Sequence, residues 1–105
     1  MSPGDASEPI LEVVRETPGG TVRVRLRLEG RGAARRVREV LISGDFFVVP
    51  PRLVLDLEAH LRGVTADRIE SEIGSFFASA RPELLSMTPG DLMATVLAAL
   101  KLDAM

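Results

Sequence analysis

Thr21-Val22-Arg23-Val24-Arg25-Leu26-Arg27-Leu28-Glu29 alternates without a break. Val22, Val24, Leu26 and Leu28 share one parity; Arg23, Arg25, Arg27 and Glu29 share the other. A strand turns successive side chains to opposite faces, so a period of two means one apolar face and one charged face. This segment is predicted to be a strand in an antiparallel sheet with only one side covered.

The neighbouring segments extend that reading. Thr17-Pro18-Gly19-Gly20 precedes the strand and reads as a turn, because Pro presets φ and Gly tolerates positive φ. Before it, residues 10–16 mix apolar and charged side chains and suggest a first strand. Gly30-Arg31-Gly32 makes the next turn, and residues 36–43 read as a third strand. Its apolar set, Val37, Val40 and Ile42, shifts parity once, the mark of a bulge. Three strands on short connections imply an antiparallel meander.

Beyond residue 50 the period becomes helical. Pro50-Pro51 suits a first helical turn, Val54, Leu57 and Leu61 recur on one stripe, and Gly63 is placed as the residue after the C-cap. Thr65 is predicted to cap a second helix that carries Ile69, Ile73, Phe76, Phe77 and Ala80 and ends at Arg81-Pro82. Thr88-Pro89-Gly90-Asp91 opens a third, with Leu92, Met93, Val96, Leu97 and Leu100 as its apolar stripe. The expected class is α+β: a three-stranded antiparallel meander, then three helices packed on one face. Residues 1–8 lack a packing pattern and read as a loose tail, with residues 9–102 as one domain.

Composition narrows the function. At 105 residues, 46% hydrophobic and 27% charged, the chain has the balance of one globular domain. With no cysteine, disulfides and thiolate metal sites are excluded, and a reducing, cytoplasmic setting is expected. No signal peptide and no apolar run long enough for a bilayer are visible, so no membrane partner is expected. Between Arg15 and Arg38 eight Arg face two Glu, a net of +6, which leaves −8 for the rest of the chain. With no Trp or Tyr and four Phe, stacking platforms for nucleic acid are scarce, and none is expected as a partner.

No catalytic set emerges. His60 is the sole histidine and has no Ser, Cys or second His with which to work, and zinc needs more His or Cys ligands than the chain has. Carboxylates two apart, such as Asp56 and Glu58, point away from each other on a helix. Glycine spacings of a phosphate loop are missing. Two stretches remain. Arg23, Arg25 and Arg27 line one strand face, which serves either as plain solvent surface or as a basic face for an acidic partner or nucleotide phosphates. In Ser43-Gly44-Asp45-Phe46-Phe47, adjacent Phe side chains must point in opposite directions if the backbone is extended. Either one plugs the core, or the loop presents one Phe and Asp45 to something outside the domain.

Three elements in order carry a resemblance. They are the Pro18-Gly19-Gly20 turn before an alternating strand, Ile42-Ser43-Gly44-Asp45-Phe46-Phe47 followed by Pro50, and a helix with Leu57-Glu58 and Leu61-x-Gly63. Together, over roughly residues 13–100, the chain resembles the C-terminal accessory domain of lipoate–protein ligase A, which in some organisms is a separate small subunit. The resemblance implies an accessory role without catalytic residues. The accessory domain is needed when a separate catalytic domain joins lipoate to ATP, and Mg, ATP and lipoate belong to the assembled ligase rather than to this chain alone. The catalytic domain would be the direct partner and the lipoyl-domain acceptor an indirect one. Gly44, Asp45, Phe46, Phe47, Arg15, Gly19 and Gly20 become the partner- or nucleotide-facing candidates. Arg15 is the nearest cation before the turn, with Glu16 and Thr17 between. Other readings are an interaction domain serving another enzyme, a small enzyme with an unobvious site, and a homodimer joined through a sheet edge.

Overall fold

The computed structural model describes residues 9–103; the tail assigned to residues 1–8 lies outside them. Strands β1 (Leu11–Thr17), β2 (Gly20–Glu29) and β3 (Arg36–Asp45) form an antiparallel sheet in the order β1-β2-β3. After a two-residue strand β4 (Val48–Val49) come helix α1 (Arg52–Leu61), a 3₁₀ turn (Ala66–Arg68), helix α2 (Ile69–Ser79), a two-residue strand β5 (Leu84–Leu85) and helix α3 (Pro89–Leu102). The α+β meander with three helices is the architecture expected from the alternation in β2. The β4–β5 ribbon is an addition that the sequence reading lacked.

Val22, Val24 and Leu26 are fully buried, with Leu28, Val37, Val40 and Ile42 beside them. They meet Leu57 and Leu61 of α1, Ile69 and Ile73 of α2, and Leu92, Val96 and Ala99 of α3 in one core. Each buried aliphatic side chain contributes roughly 1.5–3 kcal/mol, so this face holds the fold together. The parity shift in β3 is a bulge. Arg27 pairs with Glu39 and Leu28 with Val37, so Arg38 is the extra residue, and Val37 and Val40 both stay on the core side.

The helix ends at Gly63 and Thr88 follow the sequence, and the one at Thr65 departs from it. Thr88 and Asp91 form a capping box, with the Asp91 amide donating to Thr88 Oγ1 at 3.1 Å and the Thr88 amide donating to Asp91 Oδ2 at 3.2 Å. Thr65 caps no helix with its side chain. It precedes the 3₁₀ turn, its carbonyl accepts from the Arg68 amide at 2.9 Å, and α2 starts only at Ile69. Gly63 follows the C-cap of α1 with φ 84°, as expected, and its amide donates to the Val37 carbonyl at 2.8 Å. The segment after α1 extends the sheet. Val37 donates to Val64 and Ala66 to Arg35, both at 2.8 Å, which covers the start of edge strand β3. Further along that edge the Ile42 amide donates to Glu58 Oε2 at 2.7 Å. Arg35 forms an ion pair with Asp103, which fixes the end of α3 near the β2–β3 turn.

Candidate functional site

All seven partner- or nucleotide-facing candidates gather at one end of the sheet. The β1–β2 turn, the end of β3 and the segment leading into α3 converge there. Thr21 pairs with Asp45 and Val22 with Gly44, so the Gly19-Gly20 turn lies directly against Gly44-Asp45. Gly20 (φ 133°) and Gly44 (φ 142°) hold a backbone conformation that L side chains rarely adopt. A Cβ on Gly20 would overlap the Asp45 carbonyl, and one on Gly44 would overlap the Thr21 carbonyl. Gly44 therefore works inside a strand and not in a turn, since β3 continues to Asp45 instead of stopping at residue 43. A Cβ on Gly19 would strike the backbone of Ser86.

Ser86 joins this corner together. Its hydroxyl donates to the Gly19 carbonyl at 2.8 Å and accepts from the Phe47 amide at 2.9 Å. Its own amide donates to the Phe47 carbonyl at 2.9 Å. Thr17 braces the turn from the other side, with Oγ1 donating to the Gly20 carbonyl at 2.8 Å and accepting from the Gly19 amide at 3.2 Å. The corner is thus a fixed piece of backbone, with its peptide groups already engaged.

The paired Phe residues separate as extended backbone requires. Phe46 packs against the core, whereas Phe47 is 71% exposed. Arg15 shares a row with Val22 and Gly44, on the helix-covered face and half-buried. Arg23, Arg25 and Arg27 lie on the opposite, open face. There Arg25 Nε lies 3.2 Å from Glu12 Oε2, Arg27 pairs across the ladder with Glu39, and Glu16 and Asp45 flank Thr21 beside Arg23. The arginines alternate with carboxylates contributed by β1 and β3, which the linear sequence places far from them.

His60 bridges two helices. Its Nε2 lies 2.9 Å from Glu72 Oε1 and its ring 5.6 Å from Phe76, while Glu72 also accepts from Arg68 at 3.1 Å. Among the described residues no three His, Asp or Glu side chains converge as a metal-binding group, and no helix is long and apolar enough to cross a membrane. Ser86, Val49, Leu84 and Glu58 are placed at or near the corner or its supporting edge without having been candidates. Leu84 and Leu85 form too short a run to show a period, and Ser86 lies 67 residues from the Gly19 it holds.

No protein-family model matches the chain. In sequence it is 38% identical over 58 residues to lipoate-protein ligase A subunit 2 of Thermoplasma acidophilum, a stretch that is 55% of this chain and 57% of that relative. In fold it matches a chain from a solved archaeal lipoylation system of the same organism, a bipartite lipoate protein ligase with its lipoyl domain. The TM-score is 0.68 with 26% identity, over 89% of this chain and 96% of the other. The resemblance is therefore matched in sequence and in fold: this chain is similar to subunit 2 of a lipoate-protein ligase A and to a chain of a solved bipartite lipoate protein ligase system.

Proposed function

We propose that the chain is the non-catalytic accessory subunit of a two-component lipoate–protein ligase, working in the cytoplasm. Its partner is a separate catalytic subunit, and the lipoyl-domain acceptor is reached only through that partner. The observation that carries this reading is the corner itself. The Pro18-Gly19-Gly20 turn and the Gly44-Asp45-Phe46-Phe47 segment, which first suggested the family, meet in space and end in one exposed aromatic side chain.

The chemistry belongs to the catalytic subunit. There the lipoate carboxylate attacks the α-phosphate of ATP and pyrophosphate leaves; the lysine amine then attacks the acyl carbon of lipoyl-AMP, forming an amide, and AMP leaves. In this reading Mg, ATP and lipoate belong to the assembled ligase, as the family resemblance implies, and not to this chain alone. A mixed anhydride hydrolyses readily, and closure of a second domain over it excludes water. The rigid corner suits that task, because a docking edge that is ordered beforehand loses little entropy on binding. In this arrangement Gly44–Phe47 forms the docking edge, with Arg15, Gly19 and Gly20 beside it.

The test is lipoyl-AMP formation by the cognate catalytic subunit, followed by pyrophosphate release, with and without this chain. Adenylation that depends on adding the chain is the expected result. An unchanged rate together with separate elution of the two proteins would leave only a likeness of fold.

A further inference from the structure

The β4–β5 ribbon carries an exposed apolar face. Val49 pairs with Leu84 and Val48 with Leu85, and Phe47 stands opposite Ser86 through two hydrogen bonds. Alternation sends Phe46 and Val48 inward and Phe47 and Val49 outward. Leu85 and Phe46 accordingly pack on the core, while Phe47, Val49 and Leu84 are 71%, 37% and 52% exposed. Three large apolar side chains from two distant segments thus adjoin one another. A ribbon of two residues per strand has no stability of its own. This one is held by Ser86 and by the Glu83 amide, which donates to the Val49 carbonyl at 2.8 Å. A contiguous apolar patch on a fixed support marks a docking surface more often than a scatter of single residues does.

The surroundings restrict what can cover it. Asp45 and Glu16 lie in one row beyond Phe47, and Glu83 adjoins Leu84, all exposed, with Arg81 further out beyond Pro82. Arg23 stands beside Asp45 and Glu16 on the same face, so the rim carries three carboxylates against Arg23 and Arg81 and is acidic on balance. In a symmetric contact between two copies, the same patch meets itself, so these acids would face their own equivalents across a small apolar centre. Three side chains also fall far short of the roughly 800 Å² per partner that stable interfaces bury. The patch therefore fits as the central anchor of a larger contact with a different protein.

We infer that Phe47, Val49 and Leu84 form a three-residue anchor that enters an apolar pocket with a basic rim on the catalytic subunit. This inference rests on the accessory-subunit reading. It adds Val49 and Leu84 to the docking edge and gives the partner's surface its chemistry. Buried aromatic anchors dominate such interfaces, and their neighbours contribute less.

The test is calorimetric titration of the cognate catalytic subunit with this chain at low and moderate salt. Phe47→Ala is expected to weaken binding about 30-fold and Leu84→Ser about 5-fold, while Leu55→Ser leaves it within about twofold. Leu55 is the control because it is 65% exposed and lies outside the ribbon, on α1. Thermal unfolding midpoints within a few degrees of the wild type show that the variants fold. Binding of the wild-type chain is also expected to weaken with salt, as an acidic rim against a basic one requires. If the wild-type chain binds and Phe47→Ala and Leu84→Ser bind equally well, the anchor is overturned and the accessory reading stands. Failure of the wild-type chain to bind overturns both. Concentration-dependent self-association in sedimentation, abolished by Phe47→Ala, makes a second copy the occupant and overturns the inference.

Discussion

Gly20 and Gly44 lie diagonally across the β2–β3 ladder, on either side of the Thr21–Asp45 pair; both have positive φ, and each leaves space that the other strand's carbonyl occupies. Gly44→Ala therefore combines backbone strain with a backbone overlap, and a destabilisation of about 2–4 kcal/mol is expected from urea unfolding. A value below about 0.5 kcal/mol would mean that the strands separate easily there. Gly19-Gly20 is legible in the sequence as a turn, because Pro followed by two Gly has few other uses. Its second role, giving Ser86 room to approach, is not legible, since it depends on a residue 67 positions away. The Phe pair shows the same division. Alternation predicts that one of them faces outward, but only the pairing of Phe47 with Ser86 decides which. The open-face arginines are legible as a stripe, whereas their interleaving with Glu12, Glu39 and Asp45 appears only when the ladder register is known.

Among the elements, β2 and α3 follow most directly from local sequence. An unbroken period of two fixes the first, and a capping box with Pro at its start fixes the second. The β4–β5 ribbon is invisible to such reading, because two residues cannot display a period. The start of α2 is misplaced by the Thr65 signal, because residues 63–66 are drawn to the sheet edge, where backbone hydrogen bonds outweigh a side-chain cap. Edge protection also explains Glu58. Its carboxylate takes the outward amide of Ile42, a group that would otherwise recruit another strand. Glu58→Ala is expected to cost about 1–3 kcal/mol, whereas Glu58→Gln keeps an acceptor and loses about half of that or less. Hydrogen exchange at the Ile42 amide reports the contact directly: it should quicken in the alanine variant and change little in the glutamine variant. Equal acceleration in both would show that charge, not the hydrogen bond, is what matters there.

At the scale of the whole molecule, the sheet has a helix-covered face that holds the fold, an open face of alternating charges, and one end that carries the rigid corner. Within the corner Phe47 lies outside the core, so docking can be varied there with little change in stability, whereas Phe46 and the glycines also serve the fold. The most direct measurement is the rate of lipoyl-AMP formation by the cognate catalytic subunit as this chain is titrated in, for the wild type and for Phe47→Ala. Saturable activation is expected, with the Phe47→Ala curve displaced about 30-fold to higher concentration but reaching the same plateau, because Phe47 holds the partner and takes no part in the chemistry. Absence of activation, or two superimposable curves, would contradict a docking corner centred on Phe47.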